Sequence, residues 1–171
     1  AEWARIKGIG VGGTGDFTHP AHFAALKDLL EPAGDGVFSL KKDKGDGEGA
    51  RFILTAEVSN IFSQGGRVRK MHSLLLAPSL EAVRKMNSAF GRLGNVKSDG
   101  RPIFGFSAKD LLKIVLDASS DAMLIPAHAW TPWFSIFGSK SGFDSIEECF
   151  GDLAPHIRAI ETGLSSNPDM N

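Results

Sequence analysis

A chain of 171 residues, 42% hydrophobic, is long enough for one domain with a sizeable core, and its formal net charge of −1 carries no global basic signal for nucleic acid, leaving only a local patch. The single cysteine, Cys149, excludes an internal disulfide and a cysteine-rich zinc site and fits a reducing, cytoplasmic setting. No apolar run approaches the roughly 18 residues of a membrane span, so no membrane partner and no leader are expected.

Ala1–Lys7 carries Trp3 and Ile6 at helical spacing and is ended by Gly8. Ile9–Gly13 is short, apolar and glycine-rich, which predicts a buried strand, and a loop with Asp16 and His19 follows. Ala21–Leu30 reads as a helix with Phe23, Leu26, Leu29 and Leu30 on one side. Glu31–Gly36 reads as a turn, Val37–Leu40 as a short strand and Lys41–Gly49 as a charged surface loop. Arg51–Val58 reads as a buried strand ending at Glu57. Gln64-Gly65-Gly66-Arg67 is a turn into a strand over Arg69–Ala77, which contains His72.

Ser79 is the expected N-cap of a helix whose apolar face is Val83, Met86, Phe90 and Leu93. Gly94–Gly105 reads as a polar loop, and Ser107 caps a strong helix over Ala108–Asp117. The run Ala122–Ile125 ends at Pro126, which predicts a buried strand with His128 at its exit, flanked by Trp130 and Trp133. Ser135–Gly142 is a glycine- and serine-rich loop. Phe143–Phe150 reads as a short helix capped by Asp144 or Ser145, and Ile157–Ile160 as a last strand before Glu161. Strands alternating with helices predict an α/β fold with a mainly parallel sheet or barrel.

Acids and histidines recur around the ends of apolar runs: Asp16 and His19, Glu57, His72, His128 and Glu161. In parallel α/β folds such groups converge at one end of the sheet. Imidazole and carboxylate together suit zinc, manganese or iron, and a bound ion lowers the pKa of water so that hydroxide exists near neutral pH. Each residue also has a structural reading: an Asx-turn for Asp16, a pairing with Arg51 or Arg69 for Glu57, a core position for His72, a loop cap for Glu161. Arg67, Arg69 and Lys70 cluster beside the His72 strand, and Lys97 and Arg101 share a loop. Around a metal they would suit a DNA backbone. Trp130 and Trp133 either stack a displaced base or belong to the core. The loop Gly138-Ser139-Lys140-Ser141-Gly142 could hold phosphate through backbone N–H groups, but it lacks the P-loop spacing.

Several motifs taken together resemble the endonuclease Q family, repair nucleases with a PHP-type phosphoesterase domain. They are Gly15-Asp16-Phe17-Thr18-His19-Pro20, Thr55-Ala56-Glu57-Val58-Ser59-Asn60, His72 before Leu74-Leu75-Leu76-Ala77-Pro78, Ser98-Asp99-Gly100-Arg101-Pro102, Pro126-Ala127-His128-Ala129-Trp130-Thr131-Pro132-Trp133, Phe137-Gly138-Ser139-Lys140-Ser141-Gly142-Phe143 and Glu161-Thr162-Gly163-Leu164-Ser165-Ser166. The resemblance spans nearly the whole chain in one order. It implies an incomplete, distorted PHP-type β/α barrel of mainly parallel strands with surrounding helices. It also implies cleavage of damaged DNA 5′ of deaminated bases (uracil, hypoxanthine, xanthine) or abasic sites; the chain itself is expected to be a monomer.

The resemblance implies divalent metal ions, zinc first, with manganese or magnesium as alternatives. Glu57, His72 and His128 fall where the superfamily places metal ligands, and Asp16 and His19 fall in the segment of its Asp-His motif, here interrupted by Phe17. Arg67, Arg69, Lys70, Lys140, Trp130 and Trp133 are the expected DNA contacts. The family's opening His-x-His strand and closing Asp-x-His motif are not among these 171 residues. The chain is therefore expected to be one partial domain, an internal fragment that binds metal weakly and has little activity alone. A phosphoesterase acting on small phosphate esters and a non-catalytic scaffold are the alternative readings.

Overall fold

The computed structural model of the chain describes residues 2–42, 49–97 and 100–163. The Ser98-Asp99 pair of one motif, the tip of the Lys41–Gly49 loop and Leu164-Ser165-Ser166 lie outside the described residues. The elements in order are α1 (Glu2–Ile6), β1 (Val11–Gly13), α2 (Pro20–Leu29), β2 (Leu30–Gly34), β3 (Val37–Leu40), β4 (Arg51–Gln64), β5 (Arg67–Ala77), α3 (Leu80–Leu93), β6 (Ile103–Phe104), α4 (Ala108–Ala118), β7 (Met123–Pro126) and α5 (Ile146–Phe150), followed by a 3₁₀ turn over Gly151–His156.

The sheet is mixed, open and mostly antiparallel, in the order β2-β3-β4-β5-β7. Only β1 and β6 run parallel to a neighbour, and both pair with β4. This corrects the expected mainly parallel barrel. The reason lies in the connections. Gln64 pairs with Arg67, so β4 and β5 are joined by Gly65 and Gly66 alone, with φ of 60° and 71°. A two-residue link with positive φ at both positions joins antiparallel neighbours; a parallel pair needs a crossover of a dozen residues or more.

Five further expectations are corrected. Leu30–Gly34 is a strand, and the turn narrows to Asp35-Gly36, where Gly36 has φ 71°. The strand expected to end at Glu57 continues to Gln64, so Glu57 lies mid-strand. Ile103–Phe104, expected in a loop, adds to β4. Ile157–Ile160 forms no strand; the 3₁₀ turn precedes it. The helix expected over Phe143–Phe150 is shortened to α5, capped by Ser145. The expected caps Ser79 and Ser107 both accept a backbone N–H at the start of their helices.

Along the β4–β5 hairpin, side chains alternate between two faces. Leu54, Ala56, Val58, Asn60 and Phe62 of β4 and Arg69, Met71, Ser73, Leu75 and Ala77 of β5 are buried. They form the inner face, covered by α3 and α4 through Val83, Met86, Phe90, Leu111, Leu112 and Val115. Thr55, Glu57 and Ser59 of β4 and Lys70, His72 and Leu74 of β5 project from the other face. The division of labour is therefore local: one row builds the core and the alternate row carries the polar chemistry.

A candidate metal centre on the outer face of the sheet

In the β4–β5 register Ser59 is opposite His72 and Glu57 is opposite Leu74, so Glu57 and His72 are diagonal neighbours on one face. β7 lies against β5 on the other side, with Ser73 opposite Pro126 and Leu74 opposite Ile125. The His72 backbone is bracketed: its N–H donates to Phe134 O and its carbonyl accepts from Ala127 N–H, each at 3.0 Å. Strict alternation past Pro126 would give the outer face to Ala127. The chain instead turns at His128, with φ 32°, a left-handed conformation uncommon outside glycine. That turn delivers the imidazole to His72.

The result is a triad. His72 Nδ1 and His128 Nε2 are 3.0 Å apart. Glu57 Oε1 lies 3.6 Å from the first nitrogen and 3.8 Å from the second. One ligand atom from each residue falls within 4.8 Å of the other two. The second Glu57 oxygen, Oε2, pairs with Arg101 Nε at 3.0 Å.

The hydrogen bonds around His128 favour one tautomer. Thr131 Oγ1 has a single proton, and it lies 2.9 Å from Trp133 O and 3.2 Å from His128 O, both pure acceptors. Its contact with His128 Nδ1, at 3.0 Å, is therefore best served by Nδ1–H as donor, which leaves the hydroxyl proton for a carbonyl. His128 Nε2 then carries a lone pair, aimed at His72 and Glu57. A ring nitrogen tied to a second partner is the usual support of a metal-binding histidine. Burial, followed by the charges of Arg101 and His128, pushes the His72 pKa down to about 4. At neutral pH His72 is uncharged, and moving its proton to Nε2 frees Nδ1 without net deprotonation. Two imidazoles and a carboxylate suit zinc, manganese or iron, so these residues could hold a divalent ion.

The low His72 pKa has a consequence for stability. The folded value lies below the ordinary 6.5, so the unfolded chain binds more protons between pH 6.5 and 4. Stability from this group is full above pH 6.5 and falls as pH drops, by about 3 kcal/mol at pH 4. Urea midpoints across this range should decline more steeply for the natural chain than for His72→Gln. Parallel declines would show that His72 is not held neutral.

The other expected site residues are distributed unevenly. Asp16 is exposed and His19 half-buried, and both stand outside the triad. Their loop is anchored two residues from Glu57: Gly15 N–H donates to Thr55 Oγ1, Thr55 N–H to Thr14 Oγ1, and Phe17 N–H to Thr55 O. Gly13 permits this approach, because a Cβ there would lie 2.7 Å from Thr55 Oγ1. Glu161 is a clamp on the β7 exit. Its carboxylate accepts from His128 N–H at 2.7 Å, its N–H donates to Pro126 O and its carbonyl accepts from Ala129 N–H.

Of the expected DNA contacts, Arg69 is placed differently. It belongs to the buried row, pairs with Glu148 at 2.8 Å, donates to Gly142 O and lies 4.2 Å over the Phe143 ring. Lys70 shares the His72 face, with its ammonium 5.2 Å from the Trp133 ring and 5.5 Å from the Phe134 ring. Phe134 stacks on His72 at 4.6 Å, so an aromatic and cationic row leads from the triad to Trp133, which is 52% exposed. Trp130 stacks on Phe137, while Arg67 and Lys140 are exposed. The glycine-rich loop is packed rather than open. Gly138, Lys140 and Gly142 N–H donate to Ser135, Pro132 and Gly138 carbonyls, so these amides are not available to a phosphate.

Sequence reasoning did not assign Thr131 a role and left Arg101 among loop charges. Thr131 three residues after His128 is a local signal; for Arg101 the sequence offers its motif and its charge, and the pairing with Glu57 emerges only with the β4–β6 register.

No family model matches the chain. Uncharacterized protein MJ0043 of Methanocaldococcus jannaschii is 26% identical over 132 residues, covering 77% of this chain and 13% of that protein. The crystal structure of the lesion-specific endonuclease PfuEndoQ from Pyrococcus furiosus superposes with a TM-score of 0.77 at 32% identity, covering 99% of this chain and 37% of that one. A second structure, endonuclease Q in complex with a 27-mer duplex bearing an abasic lesion at the active site, gives the same score and identity and is covered to 38%. The chain is thus similar to endonuclease Q along almost all of its own length, as its motifs indicate, and spans little over a third of those structures.

Proposed function

We propose that this chain supplies part of the metal centre of a PHP-type DNA repair endonuclease that cleaves the phosphodiester 5′ of a deaminated base or an abasic site. The observation that carries the reading is the coincidence of two independent facts. The Glu57–His72–His128 triad gathers one ligand atom from each residue within 4.8 Å, close enough for one divalent ion to take all three, and the chain that builds it is similar over 99% of its length to a lesion-specific endonuclease. Glu57, His72 and His128 are the residues that would hold the metal. Asp16 and His19, on the loop tied to Thr55, would complete the set after a movement of that loop. When bound, such an ion lowers the pKa of water and neutralises charge that develops on a phosphate.

The remaining tasks fall to the protein. Thr131 favours one tautomer of His128, Glu161 holds the backbone that aims it, and burial keeps His72 neutral. Lys70, Arg67 and Lys140 would meet the DNA backbone. Trp133, beside Lys70, offers a face on which a base displaced from the duplex can stack, and Trp130 a second. The site lies on an open sheet face with an exposed indole at its edge, which suits a polymer better than a small ester.

The test is a nicking assay on an end-labelled duplex with one deoxyinosine or one abasic site, with zinc, manganese or magnesium. It is run with this chain and with a longer polypeptide that carries it. The longer protein should nick 5′ of the lesion only with metal, and the nick should vanish in Glu57→Gln; the 171-residue chain alone should show little activity. A folded longer protein that nicks with none of the three metals would overturn the proposal.

A further inference from the structure

We infer that Arg101 binds the phosphodiester of the substrate beside the metal centre, using the face of its guanidinium that Glu57 leaves available. The inference rests on the nuclease reading above and adds a residue and a ligand to it.

Position comes first. β6 pairs in parallel with β4, Ile103 against Ser59 and Phe104 against Asn60, and Ser59 N–H donates to Pro102 O. Arg101 lies two residues before β6 and Glu57 two residues before Ser59, and the two side chains meet at Nε and Oε2. The buried Phe104, stacked on Phe106 and packed against the Phe90 ring, pins β6 and with it the arginine. Arg101 is therefore held close to the sheet by the short strand that follows it.

Chemistry comes second. The Glu57 carboxylate is divided: Oε1 faces the two imidazoles and Oε2 faces Arg101 Nε. Among the described residues, Glu57 is the one ion-pair partner of Arg101, and the side chain is 45% exposed. A guanidinium has five N–H donors, and an ion pair at Nε leaves those on the two terminal nitrogens for a second acceptor. Electrostatics supplies the third argument. A fixed cation one carboxylate away from a dication site opposes metal binding, unless an anion sits against both. A phosphodiester has the charge and the paired oxygens that Arg recognises. Had orienting Glu57 been the only requirement, a neutral donor would have served without that repulsion.

The experiment follows the Nε–H signal of Arg101 by ¹H–¹⁵N NMR, assigned by its absence in Arg101→Gln. The signal is titrated with a thymidine dinucleotide that has one phosphodiester, first without metal and then with zinc. Zinc binding is measured separately by calorimetry. The expected result is a saturable shift of the Arg101 signal, a loss of about tenfold in dinucleotide affinity in Arg101→Gln, and zinc binding no weaker in the variant. A signal that stays fixed, or a variant that binds the dinucleotide as the natural chain does, overturns the inference. A variant whose only defect is weaker zinc binding does so too, because Arg101 would then merely orient Glu57. If the natural chain takes up no zinc, the metal reading fails by itself, and the metal-free titration still decides the role of Arg101.

Discussion

His128→Asn is expected to abolish saturable zinc binding while leaving the chain folded. Structural zinc sites with four ligands release roughly 10–16 kcal/mol, so each donor is worth about 3 kcal/mol, or more than a hundredfold in affinity. A triad that loses one of three donors has little left. Asparagine is the informative replacement because His128 sits at φ 32°, and asparagine tolerates the left-handed region better than alanine does. Loss of binding then reports the missing imidazole and not a strained backbone. Thr131→Val should fall between the extremes. It keeps the ring but releases the Nδ1–H bond that fixes the tautomer, a change of roughly 10- to 100-fold in affinity. Calorimetric zinc titrations of the three proteins check the order. If His128→Asn binds zinc as tightly as the natural chain, the metal lies elsewhere.

Phe104→Ala should destabilise the chain by about 3–5 kcal/mol. Phe104 has no exposed surface and lies 5.1 Å from the Phe90 ring and 4.9 Å from the Phe106 ring. It is packed so closely against Gly94 that a Cβ there would lie 2.8 Å from its ring. Neighbours confined by a helix and a strand cannot collapse into the space left behind, so the cavity cost is retained. Urea unfolding monitored by circular dichroism measures the loss, and a change below about 1 kcal/mol would mean that β6 is not a packed part of the core. Because β6 is two residues long, the same change should also blur the position of Arg101.

The sequence made much of the site legible and less of the fold. Glu57, His72 and His128 were identified from residue type and motif, and the structure brings them within 4.8 Å. The caps Ser79 and Ser107 were legible because capping is a local matter of one hydroxyl and one N–H. Strand direction was not, because alternation of helices and strands was read as a parallel sheet although the Gly65-Gly66 turn already required an antiparallel pair. Arg69 was misplaced for a related reason: a basic run is the same string of letters whichever face each residue takes, and only the β4–β5 pairing puts Arg69 inside and Lys70 outside. Residues that act by supporting others, such as Thr131 and Glu161, depend on contacts across 3 and 33 positions, and the longer of these has no local signature.

The alternation of the β4–β5 hairpin has one more implication. Glu57 and His72 make no contact that holds the two strands in step; their alignment is inherited. A slip of a single residue would bring Glu57 opposite Ser73 and carry His72 through to the helix side of the sheet. What forbids the slip is the other row, because the same displacement would lift Met71 and Leu75 away from Leu54, Ala56 and Val58 and turn them to water. Oil on one side of the ribbon thus acts as the vernier for chemistry on the other. Substitutions that soften the inner row without unfolding the chain should show themselves first as imprecision at the triad.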